Sequence, residues 1–217
     1  MGPGELACVA YMTDQTLSGD APGADAALYD RLVERARAGD NSAFEQLVVI
    51  TRRRVLRVAW QMLRHEEDAR DAAQEVFLRA YRYLHSFRRG QDFPAWLYGI
   101  TVNVCRDLAR KSNARRELFT SYEEGRDSGL LDNLPGPESA DAAAISGQRR
   151  ELVTRALASL TERERAALVL RDLEGLSTNE VALALGSRPA TVRTQLSSAR
   201  SKVKTFCERL LRTGRKD

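Results

Sequence analysis

Cysteine is nearly absent: Cys8, Cys105 and Cys207 are the only three in 217 residues, and histidine is limited to His65 and His85. With no CxxC pair, this spacing encodes neither a disulfide framework nor a zinc ribbon, so reduced thiols that pack or sit idle are expected. Also missing are a nucleophile–base pair, a metal-ligand cluster and a glycine loop to cradle phosphate, so no enzyme, metal or cofactor is expected. Long apolar runs are lacking too. VLRVAWQML, among the longest, is broken by charge well before the ~18 residues that span a membrane. The N-terminus, MGPGELACVAYMTDQ, has no basic n-region of a secretory signal, so a cytoplasmic chain without membrane insertion is expected. Strand-like alternation is scarce throughout, which points to an all-α fold.

Charge is plentiful, at 29% of residues, and the net value of +4 conceals its distribution. Residues 25–116 carry 18 Lys and Arg against 12 Asp and Glu, and residues 149–217 carry 15 against 8. Between them, residues 117–148 carry 1 base and 7 acids. Two basic blocks joined by an acidic connector suit a polyanionic partner for the blocks and a different destination for the connector.

Helical periodicity divides the chain in the same places. Residues 1–24 are rich in Gly, Pro, Ala and Asp and read as a flexible leader. A helix is expected from near Leu28 to Gly39. A second begins at DNSAFEQL, where Ser42 and Glu45 have capping-box spacing. Its apolar face carries Leu47, Val48, Val55, Val58, Ala59, Met62 and Leu63, and its other face Arg52, Arg53, Arg54 and Arg57. HEEDARDAAQEVFLRAYRYL and WLYGITVNVCRDLARK are further helices on either side of a loop at 86–95. Domains are therefore expected at 25–115 and 149–210, joined by a flexible acidic linker at 116–148 and followed by a basic tail at 211–217.

Aromatic residues make up only 6% of the chain, yet seven lie in FLRAYRYLHSFRRGQDFPAWLYGI: Phe77, Tyr81, Tyr83, Phe87, Phe93, Trp96 and Tyr98. Rings threaded with arginines suit single-stranded nucleic acid, where bases stack and phosphates attract cations. Phe77, Leu84 and Trp96 fall on apolar faces and are expected in the core, whereas Tyr83, Phe87 and Tyr98 are open to either role.

The second block holds SLTERERAALVLRDLEGLSTNEVALALGSRPATVRTQLSSARSKVKTF. Thr161 with Glu164, and Ser177 with Glu180, have capping-box spacing. A short helix burying Val181, Ala182 and Leu185 is followed by a turn at Gly186 and a helix with Pro189 in its first turn. That helix has Val192, Leu196, Ala199 and Val203 on one side and Arg193, Thr194, Ser197, Ser198 and Ser201 on the other, with Arg200 and Lys202 at the flanks. This is the pattern of a helix-turn-helix whose second helix enters a major groove. Arg193 is the candidate for a bidentate guanine contact, Thr194 and Ser197 for less selective base-edge contacts, and Arg188 for phosphate.

Taken together, D-x-x-Q-E-x-F, F-P-A-W-L-Y-x-I-x-x-N and the T-V-R helix-turn-helix resemble an extracytoplasmic-function sigma factor, in group 4 of the sigma-70 family, over about residues 26–115 and 149–208. The resemblance implies a protein that binds the β and β′ subunits of core RNA polymerase and directs initiation at particular promoters. It implies that Asp71, Gln74 and Glu75 dock on the polymerase. It also implies that the HSFRRGQDF loop, with Arg88, Arg89, Gln91 and Asp92, holds a base flipped out of the −10 element. On the next helix, Asn103, Arg106, Asp107 and Arg110 would face −10 DNA, and Arg188, Arg193, Thr194, Ser197 and Ser198 would meet −35 duplex. An anti-sigma partner and a role in stress response are implied as well. The chain departs from many relatives at Ala190, where they carry glycine, and at Gln195, Ser197 and Ser198, where they carry more basic residues. A stand-alone helix-turn-helix regulator, and a protein whose basic helices grip RNA or another protein, are the alternatives.

Overall fold

A computed structural model describes residues 22–88, 90–118 and 152–213, with side chains over 26–88, 90–112 and 152–209. The leader before Pro22, Cys8, Arg89, nearly all of the acidic linker and the last residues of the tail lie outside them. Every regular element among the described residues is helical. Helix α1 spans Pro22–Arg37, α2 Asn41–Leu63, α3 Glu66–Tyr83 and α4 Phe93–Leu118. A 3₁₀ turn at Leu84–Ser86 leads into the loop before α4. In the second unit, α5 covers 152–158, α6 Glu162–Leu168, α7 Thr178–Ala184 and α8 Pro189–Thr213, with one π-helical stretch at Val169–Leu173.

Helix α1 starts at Pro22 rather than near Leu28, because proline is pre-organised for a first helical turn. Helix α4 runs to Leu118, past the expected start of the linker. The expected Ser42–Glu45 capping box is not what starts α2. Gly39, at φ +94°, turns the chain out of α1 and delivers Asp40 in an extended conformation, and its Oδ1 accepts the Ala43 N–H at 3.2 Å. Asp40 also binds Arg35, at 3.0 and 2.6 Å, so one carboxylate closes the α1–α2 corner and caps α2. The other two boxes form as their spacing predicts: Thr161 with Glu164 starts α6, and Ser177 with Glu180 starts α7.

The first unit packs α2 against α1, α3 and α4 around Leu47, Val55, Val58, Val76, Leu97, Val102 and Val104, all nearly inaccessible to water. The second packs α6 and α7 against α8 around Leu168, Val169, Leu170, Val181, Val192 and Leu196. The faces expected on α2 and α8 are therefore the ones that fill the cores. Cys105 lies in the first core, where burial pushes its thiol up to about 12, so it is not a thiolate at neutral pH. Cys207 is half-buried. Among the described residues, no helix is long and apolar enough to cross a membrane.

The two units touch along α4 and α7. Gly99 permits the closest approach, since a Cβ there would lie 2.9 Å from the Ala184 carbonyl oxygen. Arg165 of α6 donates to the carbonyls of Leu157 and Leu160 in its own unit and to that of Met62 at the end of α2.

Candidate nucleic-acid interface

On α8 the buried row Val192, Leu196, Ala199 and Val203 leaves Arg193, Thr194 and Ser197 exposed. With Ser198, Ser201 and Lys202 they line an open groove of about 680 Å³. Arg193 and Arg188 make no ion pair among the described residues, so both guanidinium groups are available to an anion or a base edge. Ser198 behaves differently. Half-buried, it donates to Glu164 Oε1 at 2.6 Å, while Lys202 donates to both Glu164 oxygens at 2.8 Å. Glu164 also accepts from the Thr161 N–H and hydroxyl at 2.9 Å. The ammonium of Lys202, the Ser198 hydroxyl and the Thr161 donors hold its carboxyl at about 2, well below the usual range. Glu164 thus pins α8 to α6. At the flank, Arg200 is held by Asp172 at 2.7 and 3.0 Å. Gln195 turns inward, and its amide oxygen is buried without a partner among the described residues.

In the first unit, Asp71 and Gln74 are exposed on α3 and Glu75 is half-exposed. Leu78, at i+7 from Asp71, continues their row and is 63% exposed. Sequence reasoning passed over Leu78, although an apolar residue in line with an acid–amide row is itself the signal of a docking face. Glu75 binds Arg79 at 2.6 Å, Arg79 binds Asp107 at 3.1 Å, and Asp107 binds Arg110 at 2.8 Å. This chain of charges links the α3 row to the α4 face and holds the Asp107 carboxyl below its usual range, with Arg79 the main cause.

The loop before α4 turns at Gly90, φ +80°, with Arg88 exposed and Gln91 accepting the Arg88 N–H at 3.4 Å. Asp92 caps α4, accepting the Ala95 N–H at 2.7 Å. Burial raises its pKa, against the Ala95 hydrogen bond, and the fields of Glu180 and Asp30 add to the rise. Asn103, Arg106, Asp107 and Arg110 do share one α4 face, but Arg106 is engaged by Glu162 of α6 at 2.6 Å.

The rings are largely structural. Phe87 meets Phe93 and Trp96 edge-on at 5.7 and 5.3 Å, Phe93 and Trp96 lie tilted at 5.7 Å, and Tyr29 stacks on Phe93 at 5.7 Å. Phe87 and Tyr98, which the sequence left open, are 3% and 2% exposed, whereas Tyr83 is exposed. The stacking platform suggested by composition is therefore mostly a core beneath the loop. Residues 85–88 instead form one side of an open groove of about 710 Å³, with Glu34 and Arg37 of α1 and Ala38 just after it opposite. Arg37 donates to the His85 carbonyl across it at 3.3 Å.

Tyr98 and Arg57 stand out in the sequence only as a ring of the aromatic cluster and as part of an arginine face, and their joint partner was not foreseen. Tyr98 donates its hydroxyl to Glu174 at 2.8 Å, and Arg57 grips the same carboxylate at 2.7 and 3.0 Å. The two pairings span 117 and 76 residues, beyond the reach of any local pattern.

A helical unit bearing a charged face and loop, followed by a helix-turn-helix with an open groove, is the architecture of a promoter-binding transcription factor. Family comparison agrees: the models for Sigma-70 region 2 and Sigma-70 region 4 match residues 47–116 and 150–203. The ECF RNA polymerase sigma-E factor of Escherichia coli strain K12 is 33% identical over 185 residues, covering 83% of this chain and 95% of the relative. RNA polymerase sigma-H factor of Pseudomonas aeruginosa is 31% identical over 183 residues, covering 84% and 95%. Among solved structures, CnrH in complex with the cytosolic domain of CnrY has a TM-score of 0.62 at 25% identity, covering 83% of this chain and 97% of CnrH. RpoE of Bartonella quintana, solved with the anti-sigma factor NepR, shares the fold, with a TM-score of 0.61 at 20% identity over 76% and 96% of the two chains. The chain belongs to the extracytoplasmic-function sigma factors of the sigma-70 family, and it is an RNA polymerase sigma factor.

Proposed function

We propose that this sigma factor acts in the cytoplasm as a non-catalytic subunit of RNA polymerase, with the two units dividing promoter recognition. The second unit reads −35 duplex through Arg193, Thr194 and Ser197, with Arg188 on phosphate and Ser198 holding the helix through Glu164. The first docks on the polymerase through Asp71, Gln74, Glu75 and Leu78. Its 86–93 loop takes a base unstacked from the −10 element, and Asn103, Arg106 and Arg110 meet the flanking DNA. Melting needs no catalytic residue, since capture of an unpaired base offsets the few kcal/mol that unstacking costs. The observation that carries this reading is the free guanidinium of Arg193 over an open groove on a helix pinned from behind. The solved relatives bound to CnrY and NepR support a protein partner that sequesters this chain as well.

The test is transcription with purified core polymerase on pooled genomic fragments, with and without this protein. Discrete start sites that need the protein would support the reading and reveal both promoter elements. If the folded protein binds no core polymerase and yields no start sites, the reading is wrong, and a stand-alone regulator becomes the better account.

A further inference from the structure

The row of arginines along α2 plays no part in the reading above. Arg52 and Arg53 are exposed, Arg54 is half-buried, and Arg57 is bound to Glu174 of the other unit. The Glu174 side chain is only 1% exposed, and both of its oxygens are taken: Oε1 by Arg57 Nε, and Oε2 by Arg57 Nη2 and the Tyr98 hydroxyl. We propose that Arg57 and Tyr98 form a site for a backbone phosphate of promoter DNA, which the chain fills with its own Glu174 carboxylate when the two units close. This rests on the reading of α4 as the −10 face.

Three observations lead there. The first is chemical: an arginine fork grips a carboxylate and a phosphate in the same bidentate way, and a tyrosine hydroxyl donates equally to either. The second is positional. Gly99, Asn103, Arg106 and Arg110 follow one another at i, i+4, i+7 and i+11, so they lie on one side of α4. At one end of that side Gly99 abuts Ala184, and further along Glu162 holds Arg106. The second unit thus sits on the surface assigned to −10 DNA, and that DNA is admitted only when the units part. Glu180 of α7 is also near enough to the loop to raise the pKa of Asp92.

The third observation concerns what parting leaves behind. Arg57 is 35% exposed with Glu174 in place. Burial works against its charge, and the hydrogen bonds and field of Glu174 more than compensate. When Glu174 leaves with its unit, the Arg57 fork and the Tyr98 hydroxyl lose the acceptor they share and turn to water or another anion. A polyanion lying along α4 supplies one at the same place, and Arg52, Arg53 and Arg54 extend the positive track beside it.

Two variants of the full-length protein separate a phosphate site from a mere clasp, because both break the closed contact while only one keeps the site. Glu174→Gln removes the competitor and Arg57→Gln removes the receptor. Small-angle X-ray scattering reads opening, and fluorescence anisotropy over a salt series reads binding to a labelled junction DNA, duplex running into single strand. Phosphate contacts are sequence-independent, so no known promoter is needed. Both variants are expected to enlarge the radius of gyration. E174Q is expected to bind the junction about tenfold more tightly than wild type, the change that 1.4 kcal/mol produces. R57Q opens the same α4 face without the receptor, so it is expected to gain clearly less than E174Q, with a salt slope shallower by about 0.7–0.9, one phosphate's worth. Tyr98→Phe added to E174Q keeps the ring and is expected to reverse part of the gain. Equal affinity and slope for E174Q and R57Q would overturn the proposal, as would an E174Q protein that stays closed or opens without binding DNA more tightly. If R57Q fails to fold, the Y98F arm decides, and no reversal of the gain overturns the proposal. None of these readouts requires polymerase. Failure here with start sites still present in the transcription assay would sink the phosphate site alone, whereas loss of the start sites would sink the sigma-factor reading of the surface.

Discussion

Replacing Glu164 with glutamine isolates the charge that pins the recognition helix. The variant keeps the shape but only one acceptor oxygen: with that oxygen on the Thr161 donors, the new NH2 faces the Ser198 hydroxyl, which can turn to accept it, while Lys202 loses its counter-charge. The carboxyl is depressed from 4.5 to about 2, which at 1.36 kcal/mol per pKa unit would be worth about 3 kcal/mol. Lys202 is 43% exposed, so water screens part of that attraction, and a loss of about 1–2 kcal/mol is the realistic expectation for E164Q at neutral pH. In urea denaturation followed by circular dichroism, the unfolding midpoint should fall by roughly 1 M. The pH dependence is the sharper check. Because the folded pKa lies below the unfolded one, the ionised form stabilises fully above about 4.5, and its contribution fades as pH falls toward about 2. The stability gap between wild type and E164Q should therefore be constant from pH 7 to 5 and shrink steadily below that. No gap at pH 7, or an undiminished gap at pH 3, would refute the assignment of the clamp to the Glu164 charge.

Arg193→Ala should lose about 1–3 kcal/mol of discrimination at a single position of the −35 element while leaving other positions unchanged, as read by binding to a panel of single-base variants. Leu78→Asp should weaken the association with core polymerase, measured by gel filtration or anisotropy, without changing affinity of the free protein for junction DNA. Gly99→Ala should separate the units, because the new Cβ would meet a backbone oxygen at 2.9 Å and neither helix can yield cheaply. Alanine favours helix by about 1 kcal/mol over glycine, so each unit should stay folded while the radius of gyration rises.

What the sequence disclosed was mostly local. The Thr161–Glu164 and Ser177–Glu180 boxes span three residues each, and the apolar rows of α2 and α8 repeat every turn, so spacing alone locates them. The start of α2 was misread because Ser42 and Glu45 have the right spacing, yet Asp40 arrives first, already extended by Gly39 and drawn in by Arg35. Rings posed a different difficulty. Phe87 sits in the loop, where periodicity is interrupted, and Tyr98 in the second turn of α4, and only packing against Phe93, Trp96 and the second unit shows that they are buried. Candidate DNA residues also divided once neighbours were known: Arg193 and Asn103 are exposed, while Ser198, Asp92 and Arg106 already have protein partners. Two of those partners, Glu164 and Glu162, were visible in the sequence only as acids suited to a helix start.

Two buried carboxylates therefore do opposite work with the same chemistry. Glu164 binds within one unit and serves rigidity, holding α8 on α6. Glu174 binds across units, and its partners lie on the surface that DNA is proposed to need. Salt should separate them in a useful way. The Arg57–Glu174 pair is shielded from solvent on its acidic side, so added ions screen it weakly, whereas displacement of counterions makes DNA binding fall steeply with salt. High salt should then keep the chain closed by removing its competitor rather than by strengthening the clasp. Low salt with DNA present should open it, and low salt without DNA should not. Scattering measured across that three-way comparison would show whether the polyanion or the ionic strength itself controls the opening.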